Sequence, residues 1–254
     1  MACGDDIKGK LALITGASGG IGAACARRLA DLGCSLALTY SSSASAVESL
    51  VSELGSLHPA IAISVHQCDM SLPLAIASLF EQIAASHPDT PVSILISNAG
   101  YGKRITNIWD ISLEEFMYMM NVNLTASFLL VKGVVEGMKA QRWGRIVFVS
   151  SIAAYGAGLN GCHYAASKGG LTSMMKNLST RLAEYNITVN DVAPAMIAST
   201  GMLPNADAFP GLKDSIPIGR LGMPADVTNA IEMFIQTGYV TGQSLILAGG
   251  LPHQ

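Results

Sequence analysis

The chain alternates short, almost wholly apolar runs with stretches of helical pattern, and this alternation restricts the fold more than any other feature. The runs fall at residues 11–15, 34–40, 60–67, 92–97, 145–150, 187–192 and 244–247, with helical patterns at about 21–32 and 44–57. Strands separated by helices predict a parallel sheet with crossover helices. Runs that are apolar on both faces, rather than alternating, predict a sheet covered on both sides. No linker composition, repeat or charge block divides the 254 residues, so one α/β domain over 1–254 is expected.

Half the residues are hydrophobic and 13% are charged, as a well-buried core requires. The net charge of −3, without a basic stripe, argues against nucleic acid as a partner. No uninterrupted apolar run reaches the roughly 18 to 20 residues of a membrane span, so no membrane association is expected. The N-terminal residues lack signal-peptide and transit-peptide character, and Leu-Pro-His-Gln at the C-terminus is not a peroxisomal address. Five cysteines (Cys3, Cys25, Cys34, Cys68, Cys162), none at CxxC spacing, read as free buried thiols of a cytoplasmic protein, with no metal site or disulfide framework.

The first apolar run ends in Thr15-Gly16-Ala17-Ser18-Gly19-Gly20-Ile21-Gly22, and a helical pattern follows. Strand, glycines and helix in that order form the geometry that holds a pyrophosphate on backbone N–H groups at a helix start. Gly16 is expected to permit the tight turn, Gly20 to let backbone approach the ligand, and Gly22 to let the helix pack against the sheet. The same glycines could serve an ordinary turn. No Gly-Lys-Ser/Thr follows, which disfavours a P-loop.

Tyr164 and Lys168 stand four residues apart in Tyr-Ala-Ala-Ser-Lys, with Ser151 thirteen positions upstream of the tyrosine. A spacing of four places two side chains on one helix face, and a fixed ammonium favours phenolate over phenol. The pair is therefore expected to lower the tyrosine pKa from its usual value near 10 toward a useful proton-transfer range. Taken alone, the pair also fits an ordinary helix surface. His163 adjoins the tyrosine but points about 100° away on a helix, so it reads as a satisfied or exposed side chain.

This ordered set resembles the short-chain dehydrogenase/reductase family, and within it the 3-oxoacyl-thioester (acyl carrier protein) reductases and related carbonyl reductases. The residues that carry the resemblance are the Thr15–Gly22 turn, Cys68-Asp69-Met70, Asn98-Ala99-Gly100, and Asn121-Val122-Asn123-Leu124. They continue with the run ending at Ser151, Tyr164-x-x-x-Lys168, the stretch from Asn190 to Pro194, and Gly249-Gly250. The resemblance implies a single-domain Rossmann fold, doubly wound around a mostly seven-stranded parallel sheet with helices on both faces. It also implies a proton relay. Tyr164 exchanges the proton with the carbonyl oxygen and Ser151 orients that oxygen. Lys168 binds the nicotinamide ribose and lowers the tyrosine pKa, and Asn123 holds a water linking Lys168 to solvent.

The cofactor side would take in Gly16, Ser18, Gly19, Gly20, Ile21 and Gly22 at the phosphates. Asp69 and Met70 would lie at the adenine, and Asn98, Ala99 and Gly100 beside the adenosine ribose. Pro194, Ile197 and Ser199 would sit near the nicotinamide, with Thr200 the alternative after a one-residue shift. The second run ends Thr39-Tyr40-Ser41-Ser42-Ser43, a hydroxyl-rich turn with no carboxylate to repel a 2′-phosphate. NADP(H) is therefore preferred, with NAD(H) possible, although Gly19 stands where NADP-using relatives often carry a basic residue.

Departures from the family pattern are Ala195 in place of glycine after Pro194, and Ala248 before Gly249. A lid is expected near 196–216, carrying Met202, Leu203, Phe209 and Leu212, and Tyr101, Ile152, Ala153, Tyr155 and Leu159 would line the rest of the pocket. No arginine cluster is evident there, which suits an uncharged ketone or thioester, a carrier-bound acyl chain among the candidates. The apolar stretch 113–140 implies, by the resemblance, subunit pairing in a homodimer or homotetramer. The expected activity is NADPH-dependent hydride transfer to a ketone carbonyl. The alternatives are a non-redox biosynthetic enzyme and an NADP-binding protein on the same fold.

Overall fold

The computed structural model describes residues 5–156, 160–203, 211 and 213–252. Seven strands, β1 (Leu11–Ile14), β2 (Ser35–Tyr40), β3 (Ile63–Gln67), β4 (Val92–Ser97), β5 (Gly144–Val149), β6 (Ile187–Pro194) and β7 (Ser244–Leu247), form one sheet in the order β3-β2-β1-β4-β5-β6-β7. Every pairing is parallel. The helices are α1 (Gly20–Asp31), α2 (Ala44–Leu57), α3 (Pro73–Ser86), α4 (Leu113–Met120), α5 (Ala126–Gln141), α6 (Cys162–Leu182) and α7 (Pro224–Gln236). The expected doubly wound α/β architecture is therefore present.

Successive residues of a strand point to opposite faces. In β1, Ala12 and Ile14 join one core cluster with Leu29 of α1, Leu50 of α2 and Phe234 of α7. Leu11 and Leu13 join the other, with Leu79 of α3, Leu130 of α5 and Met175 of α6. Each large apolar side chain so buried contributes about 1.5–3 kcal/mol, which is why strands apolar on both faces settle in the middle layer. The helix boundaries also follow local chemistry. Pro73 opens α3, where its missing N–H costs nothing, and the Ser112 hydroxyl accepts from the Glu115 N–H at 3.1 Å at the start of α4.

Two expectations change. The third strand begins at Ile63, not at 60, because Ile61 N–H closes a turn on His58 O at 3.2 Å. In the apolar stretch 113–140, a π-turn at Asn121–Thr125 separates α4 from α5. Cys162 is exposed, whereas Cys25, Cys34 and Cys68 are buried free thiols; Cys3 lies outside the described residues. The run Leu113–Gln141 is long and apolar enough to cross a bilayer by length and composition. One side of it packs in the second core cluster through Val122, Leu130 and Met138, while Leu113, Met117 and Phe128 stay exposed.

Beyond β1 the chain winds toward one sheet edge, and from β4 toward the other. The two directions part between β1 and β4, and a crevice opens beyond their carboxyl ends. That switch point positions the site.

Candidate active site

The crevice is a cleft of about 810 Å³, and one wall begins at the glycine turn. Gly16 has φ +67°, a left-handed conformation that favours glycine. A Cβ there would stand 3.1 Å from Ala99 Cα and from Asn98 Nδ2. The Thr15 hydroxyl accepts the N–H groups of Asn98 at 3.0 Å and Ala99 at 2.9 Å, and Asn98 Nδ2 donates to Thr15 O at 2.8 Å. The ends of β1 and β4 are thus bolted together. Gly19 precedes α1 without a side-chain cap, and this helix start lines the cleft, where uncapped first-turn N–H groups suit an anion.

A Cβ on Gly20 would meet Ser199 O at 2.1 Å, so glycine there also lets the segment after β6 come close. Gly22 serves packing: a Cβ there would stand 2.4 Å from Gly16 O. Gly16, Ser18, Gly19, Gly20 and Ile21 line the cleft.

Tyr40, Ser41 and Ser42 line the cleft beside Thr39, whose hydroxyl accepts from Gly16 N–H at 3.3 Å. Ser43 does not line it; it is the residue before α2. Asp69 and Met70 line the same end, with one Asp69 oxygen accepting Ser71 N–H at 2.8 Å. Asn98, Ala99 and Gly100 line the middle, and Pro194 and Ile197 lie opposite. Ser199 falls outside the lining; its φ is +56° and its carbonyl sits on Gly20. Thr200 lines the cleft in its place, as the one-residue shift allowed.

Ser151, Tyr164 and Lys168 come together on one wall, each less than 10% exposed. β5 delivers Ser151 at its carboxyl end, and α6 carries the other two one turn apart. Lys168 Nζ donates to Val149 O at 2.9 Å and stands 5.9 Å from the Tyr164 ring centre. The Tyr164 hydroxyl donates weakly to Met202 Sδ at 3.9 Å. The electrostatics differ from expectation. Burial pushes Tyr164 above the usual phenol value, with a hydrogen bond to Ser151 opposing it. Burial also pushes Lys168 down to about 8, against the pull of Asp191. For both groups desolvation outweighs the interactions that oppose it.

Asn123 lies within the π-turn, buried and outside the lining. Its Oδ1 accepts Tyr101 N–H at 2.7 Å, and its Nδ2 donates to Tyr101 O at 2.9 Å and Ser167 Oγ at 3.0 Å. The side chain therefore clamps the segment after β4 to α6, and its N–H groups are taken by protein partners. His163 is fully buried with neither ring nitrogen hydrogen-bonded, contrary to the expectation of a satisfied or exposed side chain. That burial pushes its pKa down.

On the substrate side Tyr101, Ile152 and Ala153 line the cleft as expected, and Tyr155 does not. Leu159, Phe209 and Leu212 lie outside the described residues, while Met202 and Leu203 of the expected lid line the cleft. Residues that sequence reasoning passed over include Asn160 and Arg104. Neither carried a signal, because both belong to irregular segments.

A doubly wound sheet with a glycine turn at its switch point defines a Rossmann-type protein. The chain matches the short chain dehydrogenase family over residues 10–210 and belongs to that family. It is 36% identical over 251 residues to a 3-oxoacyl-[acyl-carrier-protein] reductase of Rickettsia bellii, covering 97% of this chain and 98% of the relative. A 3-oxoacyl-[acyl-carrier protein] reductase of Brucella melitensis, solved with bound NAD, superposes with a TM-score of 0.86 at 29% identity, covering 97% and 92% of the two chains. A 7α-hydroxysteroid dehydrogenase solved with NADH and 7-oxo glycochenodeoxycholic acid gives 0.87 at 29% identity, covering 98% and 96%.

Proposed function

We propose that the protein is an NADPH-dependent reductase of ketone carbonyls, acting on an uncharged or thioester substrate such as a carrier-bound 3-oxoacyl chain. The observation that carries this reading is the convergence of Ser151, Tyr164 and Lys168 on the cleft that begins at the glycine turn. The cleft fits a dinucleotide: its volume, the uncapped start of α1 and the left-handed Gly16 suit a pyrophosphate. NADPH, when bound, supplies the hydride. Gly19, Gly20 and Ile21 would hold its phosphates, and Asp69 and Met70 its adenine.

The protein's own groups handle the oxygen. As the carbonyl becomes an alkoxide it needs a donor and a proton together. Ser151 would orient the oxygen by a hydrogen bond, and Tyr164 would deliver its phenolic proton to it. Lys168 would hold the ribose hydroxyls and stabilise the resulting phenolate, and Asn123 would keep the segment around Tyr101 in register with α6. The raised Tyr164 pKa suits a donor that stays protonated until the alkoxide forms. Replacing the Met202 thioether at the Tyr164 hydroxyl by a substrate oxygen would exchange a weak acceptor for a strong one.

NADP is favoured over NAD by the carboxylate-free end of β2, where Tyr40, Ser41 and Ser42 line the cleft. The exposed apolar residues Leu113, Met117 and Phe128 support pairing of subunits in a homodimer or homotetramer, and we place the protein in the cytoplasm. The test follows NADPH and NADH oxidation by absorbance against a panel of ketones, quinones and 3-oxoacyl thioesters. Oxidation of NADPH in step with alcohol formation is expected. Product formed without cofactor oxidation would overturn the reductase reading, and activity with NADH alone would overturn the cofactor preference.

A further inference from the structure

Asp191 of β6 is a fully buried carboxylate that the chemistry above does not use. Its Oδ2 accepts from the Thr172 hydroxyl at 2.7 Å, and its Oδ1 takes a short hydrogen bond from the Ser244 hydroxyl of β7. The Ser150 hydroxyl, next to Ser151, donates to the carbonyl of the following β6 residue, Val192, at 3.1 Å. Thr172 stands four residues beyond Lys168, one turn along the same face of α6. In the β5–β6 register Asp191 lies opposite Phe148, and the next residue of β5, Val149, gives its carbonyl to Lys168. The carboxylate therefore joins three elements directly beneath the catalytic wall.

A buried carboxylate costs several kcal/mol unless charge and hydrogen bonds compensate it. Two cations act on this pair of elements from α6: Lys168, buried, and Lys176, exposed. The neighbours just past β5 and on β7 are the Ser150 and Ser244 hydroxyls, and Tyr164 faces Lys168 from the next turn of α6. Burial raises the Asp191 pKa and lowers that of Lys168, and Asp191 works against the second shift.

The geometry points to Asp191 as a positioning residue of the reductase site: through Thr172 and Ser244 it fixes α6 against β6 and β7, and its negative charge balances the buried Lys168 ammonium. The kinetic half of this inference rests on the reductase reading; the electrostatic half does not.

Asp191→Asn keeps the shape and removes the charge. Its kcat/KM for carbonyl reduction should lose its alkaline limb about one pH unit earlier than the parent, a roughly tenfold loss near pH 9 with little change near pH 6. Thr172→Val removes the hydroxyl link and keeps the charge, so it should lower kcat without moving the limb. Superimposable pH profiles for Asp191→Asn and the parent would overturn the proposal. Thermal unfolding of the cofactor-free protein decides the charge pairing without any assay of turnover, and also if Asp191→Asn does not fold. In Lys168→Met the carboxylate loses its cation and resists ionisation further. A carboxyl group whose folded pKa lies above its unfolded value stabilises at low pH and loses that contribution as pH rises through the folded value. Lys168→Met should therefore lose stability more steeply than the parent between about pH 5 and pH 8. Equal slopes would overturn the pairing even if the protein proved to be a reductase, and steeper slopes would stand even if it did not.

Discussion

The two ends of the cleft are built differently. At the cofactor end the contacts are backbone on backbone: Ser199 O lies 2.1 Å and Gly16 O 2.4 Å from where a Cβ on Gly20 or Gly22 would be. Thr15 and Asn98 tie β1 to β4 with hydrogen bonds of 2.8–3.0 Å. At the substrate end the contacts are side chains from irregular segments, such as the half-exposed Met202 resting 3.9 Å from the Tyr164 hydroxyl. The first end can accept one ligand shape and tolerates almost no change of residue. The second can be reshaped by changing one side chain. A family of enzymes with one cofactor chemistry and many substrates needs that division.

The comparison can be broken or sharpened by substitution. The largest effect is expected where the two ends meet: Tyr164→Phe should lower the rate of cofactor-linked reduction by about 10²–10⁴-fold while thermal stability holds. A fall of less than tenfold would remove Tyr164 as the proton donor. Next, Gly22→Ala forces a methyl group onto Gly16 O and should cost about 1–3 kcal/mol in denaturant unfolding. An unchanged midpoint would show that the cofactor end is softer than described. At the other end, Met202→Ala should lower KM for bulky ketones by about 2- to 5-fold, a shift below about 1 kcal/mol, with stability unchanged within about 0.5 kcal/mol. A stability loss like that of the glycine variant would erase the distinction between the two ends. The smallest effect belongs to Ser199→Gly. Relief of a left-handed φ of +56° gains about 1 kcal/mol, and greater freedom of the unfolded chain offsets about 0.4–1 kcal/mol, so calorimetry should find almost no net change.

The same division explains what could be read from the sequence. Strands apolar on both faces and the Thr15–Gly22 turn encode their structure locally, through burial and glycine geometry, and both ends of the β1–α1 unit fell close to expectation. The Ser151, Tyr164 and Lys168 wall was legible because four-residue spacing on a helix is itself a geometric statement. The packing of Ser199 O on Gly20 was not legible, because the two residues are far apart in sequence. The raised Tyr164 pKa escaped for a related reason: spacing shows that a cation is near, but not that both groups are buried. His163 and Asp191 show the same limit, since nothing local announces that a polar side chain will be sealed inside.

The π-turn at Asn121–Thr125 has a consequence for how this region tolerates insertion and deletion. Each residue of an α-helix advances the chain by about 100° of rotation, so one extra residue taken up in a wide turn resets the phase of everything after it. Ser127 meets Ser97 of β4 at 2.9 Å only at the present setting. Loss of a single residue from the turn would give a more regular helix and a wrong one, with the side of α5 that seals the sheet swung toward water.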